Sequence, residues 1–264
     1  MDQHEHPLEG GNVSVGVVRV AGTVRKPATD ATPAVGDLLH HLEAAGFAGA
    51  PRFHGVDGRG RQILDYVDGP LADTLAPMSL QELARVGRLI RDLHDATSTY
   101  VPAGDAMWSV AIAPDREEII CHHDLAPWNL VCGEAGWVFI DWDGAGPGSR
   151  LWDLGYAAHG FVPLRAGGDQ GVDGMRLRAL VEGYGLAAPD RRQLPWLIER
   201  HVRGMHDLLL DGHRTGRQPW ARLYAEGHAD HWLGAADYIA AHLHLWREAL
   251  AEDPEPEPDG ANGR

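Results

Sequence analysis

Along the first 70 residues, short apolar runs alternate with turn signals, a strand pattern broken by one stretch of helical period. Residues 13–26 (VSVGVVRVAGTVRK) are rich in valine and split by Gly22, which predicts two short strands with a tight connection. Gly10-Gly11-Asn12 supplies a flexible turn just ahead of them. Thr32 and Pro33 then read as N-cap and first position of a helix, with Val35, Leu38, Leu39 and Leu42 at helical spacing up to Gly46. Two further strand-like runs, PRFHGVD and RQILDYVDG, flank the turn Asp57-Gly58-Arg59-Gly60. The predicted order is strand, strand, helix, strand, strand: a small sheet carrying one helix.

After Asp68-Gly69-Pro70 the period changes. Ser79 is placed to cap a long amphipathic helix, LQELARVGRLIRDLHDAT, and a strand-rich segment follows over 119–141. Beyond residue 150 the pattern is helical, notably around 173–185, 190–213 and 219–250. The last residues, EDPEPEPDGANGR, have no apolar side chain larger than alanine, so disorder is expected there. These shifts divide the chain into an N-terminal lobe (1–68), a larger C-terminal lobe (69–251) and an acidic tail (252–264). The expected class is α+β.

Composition narrows the setting. At 264 residues, 44% hydrophobic and 23% charged, the chain suits one two-lobed unit and excludes wholesale disorder. No apolar run reaches the length of a membrane span, and MDQHEHPLEGG lacks the basic-then-apolar order of a secretory signal. Two cysteines, Cys121 and Cys132, cannot build a disulfide framework, so a reduced, cytoplasmic setting is expected. Asp and Glu outnumber Lys and Arg 38 to 23, a formal charge of −15 that repels phosphate backbones and argues against nucleic acid. It favours neutral or cationic partners. Of the 23 basic residues 22 are arginines, and the one lysine is Lys26.

The chemistry concentrates in IICHHDLAPWNLVCGEAGWVFIDWDGAGPGSRLWDLGYAA (119–158). Leu130–Cys132 and Trp137–Ile140 flank Gly133-Glu134-Ala135-Gly136, which reads as a hairpin loop. Pairing outward sets Cys132 opposite Trp137 and brings Asn129 near Ile140 and Asp141, with Asp124 on the loop entering the hairpin. An amide oxygen and a carboxylate suit a hard cation such as Mg²⁺. A second carboxylate left free of metal suits proton acceptance from an attacking hydroxyl. Asp143, before Gly144, fits a turn or a second metal contact equally well.

His122-x-Asp124-Leu-Ala-Pro-Trp-Asn129, followed by IDWD (140–143) and WDLG (152–155), resembles the aminoglycoside phosphotransferase and choline kinase family, small-molecule kinases of protein-kinase-like fold. The resemblance spans roughly residues 10–250, with its specific motifs between 119 and 156. It implies Asp124 as catalytic base, Asn129 and Asp141 as Mg²⁺ ligands, and His122 as a brace of the catalytic loop. Asp153 would be a buried carboxylate tying that loop down, or a charge at a helix N-terminus.

In TVRKP, Lys26 shares a strand face with Val24, as the phosphate-gripping lysine of such folds does on the third strand. Arg25, on the other face, is the fallback. Ser14 would meet ATP phosphates in the first turn, and the backbone of Tyr66 and Val67 would meet the adenine edge in the inter-lobe connection. The chain also departs from the kinase pattern. AVGDLLHHL has no inward-facing Glu to pair with the lysine, and Asp37 is the nearest acid. His123 stands where protein kinases have Arg, and Asp153 follows Asp141 by only 12 positions, too few for a protein-kinase activation segment. A small-molecule acceptor is therefore expected. Glu182, Glu199, Asp207, Asp211 and Asp230 in the helical region are candidates to receive its ammonium groups.

The leading expectation is an ATP- and Mg²⁺-dependent phosphotransferase moving the γ-phosphoryl group to a hydroxyl of an antibiotic such as an aminoglycoside, or of an amino-alcohol metabolite. Two alternatives compete: a non-catalytic nucleotide- or ligand-binding protein of immunity type, and a metal phosphohydrolase using His122, His123 and Asp124.

Overall fold

The computed structural model describes residues 4–8 and 16–251. Five antiparallel strands form the N-terminal sheet: β1 (Glu5–Pro7), β2 (Val18–Val20), β3 (Thr23–Pro27), β4 (Phe53–Val56) and β5 (Arg61–Asp65), in the order β1-β2-β3-β5-β4. The two strands around Gly22 and the two around the 57–60 turn form as their patterns predict. Strand β1 carries no apolar alternation and forms by pairing Glu5 with Val20 and Pro7 with Val18. It makes the Lys26 strand third in chain order. Turn 57–60 is fixed by the Asp57 carboxylate, which accepts from the backbone of Arg59 and Arg61.

Helix α1 (Thr32–Ala44) buries Val35, Leu38, Leu39 and Leu42 beneath this sheet, as its spacing predicts. The expected cap differs in detail. Thr32 is already helical, Ala31 stands at the cap with no side-chain bond, and the Thr32 hydroxyl instead accepts from the Thr29 N–H at 2.8 Å.

The larger lobe is built on helices α2 (Leu80–Thr97), α3 (Arg150–Phe161), α4 (Gln170–Tyr184), α5 (Ala188–Thr215), α6 (Trp220–Ala225), α7 (His228–Ala241) and α8 (Leu243–Ala249). Ser79 caps α2 in a full capping box with Glu82. Gly87 on α2 and Gly183 on α4 let those helices approach so closely that a Cβ at either would lie 2.1 Å from the facing carbonyl oxygen. The single run expected over 219–250 divides into three helices, because Gly227 takes a left-handed φ of 87° and the chain turns again at His242. Among the described residues, no helix is long and apolar enough to cross a membrane.

Between sheet and helices lie two small two-stranded sheets. Strand β6 (Ile119–Cys121) pairs with β9 (Gly146–Gly148), and β7 (Leu130–Gly133) with β8 (Gly136–Phe139). Cys132 opposes Trp137 as predicted, and Gly133 pairs with Gly136, so the turn is only Glu134-Ala135. Residues 66–71 leave β5 and run against β7, with the Cys132 N–H bonded to the Pro70 carbonyl. Gly69, at φ 144°, passes so near that a Cβ would lie 2.8 Å from the Gly133 Cα. Cys121 is fully buried, Cys132 half-buried, and both are free. The expected tail, 252–264, lies outside the described residues.

Candidate active site

A loop from His122 to Asn129 hangs between β6 and β7, and a buried carboxylate holds its start. Asp153, in the first turn of α3, is inaccessible to solvent. Its Oδ1 accepts the His123 N–H at 2.8 Å; its Oδ2 accepts the His122 N–H and meets His94 Nε2, both at 3.1 Å. Burial pushes this carboxyl up, but the His94 hydrogen bond and the nearby histidines override it and leave it below the usual carboxylate range. The two roles considered for Asp153 coincide: it ties down the loop from a helix N-terminus. His123 adopts φ 66°, a left-handed conformation that the two bonds from Asp153 and β9 help maintain, since its Nε2 also meets the Pro147 carbonyl at 3.0 Å.

His122 is a brace. Its Nε2 donates to the Ile140 carbonyl (3.1 Å) and its Nδ1 accepts the Asp124 N–H (3.2 Å), so the neutral ring ties the loop to the end of β8. Burial pushes its pKa down to about 4. An edge-on contact with Trp142, centroids 4.5 Å apart, fixes the ring plane.

Both oxygens of Asp124 are held by neutral donors. The Tyr156 hydroxyl donates to Oδ1 and Asn129 Nδ2 to Oδ2, each at 2.8 Å. Burial raises the carboxyl; Tyr156 lowers it, Asp141 raises it, and Asn129 and Trp128 lower it, with a net value of about 6. That is a carboxylate able to take up and release a proton near neutrality. Because Asn129 Nδ2 faces Asp124, its Oδ1 is the atom left for another partner. The Ile140 N–H donates to the Asn129 backbone carbonyl at 2.8 Å, so Asn129 lies across from the residue before Asp141, as the hairpin register predicts.

Asp141 sits at φ 61°, turning the chain out of β8 into a short 3₁₀ turn (Trp142–Gly144). Its Oδ1 accepts from the Lys26 ammonium at 2.6 Å, and Asp143 Oδ2 accepts from the same ammonium at 2.8 Å. Burial raises Asp141 and the lysine outweighs it, so the carboxyl ends below its ordinary value. Lys26 itself is 6% exposed; burial lowers it, the two aspartates raise it, and the raising prevails. Both carboxylates remain about one-third open (35% and 31%), so this end of the cluster faces solvent. The structure thus joins Lys26 to Asp141 and Asp124 to Asn129, and the backbone bond from Ile140 to Asn129 sets the two pairs side by side.

Other expected residues fall out differently. Arg25 lies on the opposite face of β3, bonded to Thr23 and 3.9 Å from Asp57, so it is no substitute for Lys26. Asp37 is exposed and makes no ion pair with Lys26. The Tyr66 N–H is engaged by the Gly22 carbonyl at 3.0 Å and its ring lies under the Arg19 guanidinium at 3.6 Å; Val67 is half-buried on the same connection. Ser14 lies outside the described residues. Among the helical acids, Glu199 is engaged by Arg203, Asp211 by Arg217, Asp207 by His206 and Glu182 by Arg178, while Asp230 is exposed.

Several participants escape a sequence reading. Tyr156 follows Asp153 by one helical turn, a spacing that puts both on one face of α3 and was a usable signal. His94 sits at helical spacing with Ile90, Leu93 and Thr97 on the buried face of α2, where a histidine is conspicuous. Its Nδ1 meets the Tyr184 hydroxyl at 2.9 Å. Gln62, 1% exposed, donates to Asp143 Oδ1 at 3.0 Å, and nothing local marks it.

The phosphotransferase enzyme family matches residues 101–197. Trifolitoxin immunity protein of Rhizobium leguminosarum bv. trifolii is 33% identical over 206 residues, 70% of this chain and 75% of that one. Among solved structures, a microcompartment-associated aminopropanol kinase superposes with a TM-score of 0.65 at 15% identity, covering 95% of both chains. An amicoumacin kinase, solved with AMP-PNP, Ca²⁺ and Ami, gives 0.61 at 11% identity, covering 85% of this chain and 86% of that one. The architecture is that of the protein-kinase-like small-molecule kinases.

Proposed function

This chain belongs to the phosphotransferase enzyme family, and from that premise we propose that it is an ATP-dependent phosphotransferase acting on a hydroxyl of a small molecule. The observation that supports this best is the linked set Asp124–Asn129–Asp141–Lys26, an oxygen-rich cluster with one ammonium at its edge. Asp124 accepts a hydrogen bond from the acceptor hydroxyl, orients its oxygen and takes its proton as that oxygen bonds to the γ-phosphorus, the bond from the γ-phosphorus to the β,γ-bridging oxygen breaks and ADP leaves. Tyr156 and Asn129 keep its carboxylate in one rotamer. Lys26 places its positive charge on the nucleotide phosphates, with Ser14, Tyr66 and Val67 as the remaining nucleotide contacts.

The donor set fits Mg²⁺: the amide oxygen of Asn129 and the second oxygen of Asp141 are hard donors that would hold the cation, with water and phosphate oxygens as its further ligands. When bound, it neutralises charge on the transferring phosphoryl group. The acceptor is small, because only the 11 residues 142–152 join Asp141 to Asp153 and leave no protein-docking segment. The charge of −15 favours an amine-bearing one, an aminoglycoside-like antibiotic or an amino alcohol. The reading places the reaction in the cytoplasm. A panel of hydroxylated amines, incubated with the protein and Mg·ATP, tests it: one compound gains a single phosphate by mass spectrometry. Turnover of no compound, with no Mg²⁺-dependent ATP binding by calorimetry, would defeat it.

The similarity to an immunity protein supports a second reading, in which the chain protects its host by sequestering a ligand without chemistry. An Asp124→Asn protein separates the two. Retained protection of toxin-exposed cells by that variant would favour sequestration.

A further inference from the structure

A buried ammonium needs a counter-charge, and in this fold it does not come from the helix under the sheet. The inward positions of α1 are Val35, Leu38, Leu39 and Leu42, none more than 2% exposed, and Asp37 points to solvent. Lys26 instead reaches the 3₁₀ turn after β8. There Asp143 Oδ2 accepts from it at 2.8 Å, while Gln62 Nε2 donates to Asp143 Oδ1 at 3.0 Å. Gln62 is the register partner of Lys26 on β5 and is 1% exposed, so its amide cannot turn away to water. Asp143 thus bridges Lys26 on β3 and Gln62 on β5 from the turn.

Asp141 shares the ammonium in this structure. Resting on the reading that Lys26 meets phosphate and Asp141 meets Mg²⁺, the geometry assigns to Asp143, oriented by Gln62, the job of positioning Lys26 once Asp141 is drawn to the cation. Asp143 is a positioning residue for the nucleotide-binding lysine, and α1 plays no electrostatic part. From the sequence alone Asp143 fits a turn former or a second metal contact equally well.

The chain contains one lysine, so Lys26 gives one side-chain ammonium resonance in ¹⁵N-lysine-labelled protein. With Mg·AMP-PNP bound, the wild-type and Asp37→Asn proteins show this signal slowly exchanging with water. In Asp143→Asn exchange accelerates about tenfold or more, as expected for losing a hydrogen bond to a charged group; Asp143→Glu restores slow exchange. Gln62→Met gives the intermediate effect and serves in place of Asp143→Asn should that variant not fold by circular dichroism. Slow exchange preserved in both Asp143→Asn and Gln62→Met with nucleotide bound overturns the assignment, as does acceleration in Asp37→Asn. Saturating Mg²⁺ that reverses the Asp143→Asn effect also overturns it, in favour of a metal ligand. Failure of the underlying reading looks different: Mg·AMP-PNP then leaves the wild-type lysine resonance unmoved.

Discussion

Replacing Asp153 by Asn keeps the shape of the side chain and removes the charge on which the catalytic loop hangs. In the folded protein its two oxygens satisfy three N–H donors, from the His122 and His123 backbones and the His94 ring, with no solvent access. Asparagine offers one oxygen, and its amide hydrogens point at donors wherever the group is flipped. At least one buried N–H loses its partner, at about 1–3 kcal/mol, and the remaining bonds lose their charge assistance, so the total is about 3–5 kcal/mol. Urea unfolding followed by fluorescence of the nine tryptophans reads this as a lower midpoint at unchanged slope. Combining Asp153→Asn with His94→Gln should show coupling of about 1 kcal/mol or more, since each single change already breaks the shared bond. A loss under about 1 kcal/mol, or strict additivity, would refute the claim that this carboxylate holds the loop.

Three further outcomes follow from the same contacts. Burial pushes His122 and His159 down to about 4 and His201 to about 3, all below the unfolded value of 6.5. The unfolded chain therefore binds more protons in this window, so stability is complete above pH 6.5 and falls as pH drops towards 4. Each ring contributes about 2 kcal/mol of loss by pH 5, and His159→Gln should flatten the slope of unfolding free energy against pH by about one proton. Tyr156→Phe removes the donor to Asp124 Oδ1 and should lower kcat about tenfold with little change in KM for ATP, measured by steady-state kinetics. Gly69→Ala sets a Cβ 2.8 Å from the Gly133 Cα at a backbone conformation that resists side chains, and should cost about 1–3 kcal/mol in a thermal melt.

Where the information was local, the sequence revealed it. The spacing from Asp124 to Asn129 and the hairpin that follows put those residues beside Asp141 because register is set by the turn. Lys26 was legible because valine alternation fixes its face and no other lysine competes. What stayed hidden depends on distant pairing. Strand β1 (EHP) and strand β9 (GPG) have no apolar pattern and exist only through their partners β2 and β6. Gln62 looks like an unremarkable polar position until β5 is packed against the 3₁₀ turn, and His94, though conspicuous on the apolar face of α2, shows its partner only once α2 meets α3. Asp37 seemed the nearest counter-ion for the lysine along the chain, but the face of α1 that carries it points outward.

The proposed function requires Asp124 to drive transfer beside a nucleotide held with the help of Lys26, Asn129 and Asp141. The direct measurement is a single-turnover assay of Asp124→Asn, paired with calorimetric Mg·ATP titration of the same protein. The account predicts wild-type-like Mg·ATP affinity and phosphoryl transfer slowed by about 10²-fold or more. Transfer at the wild-type rate in that variant would contradict it.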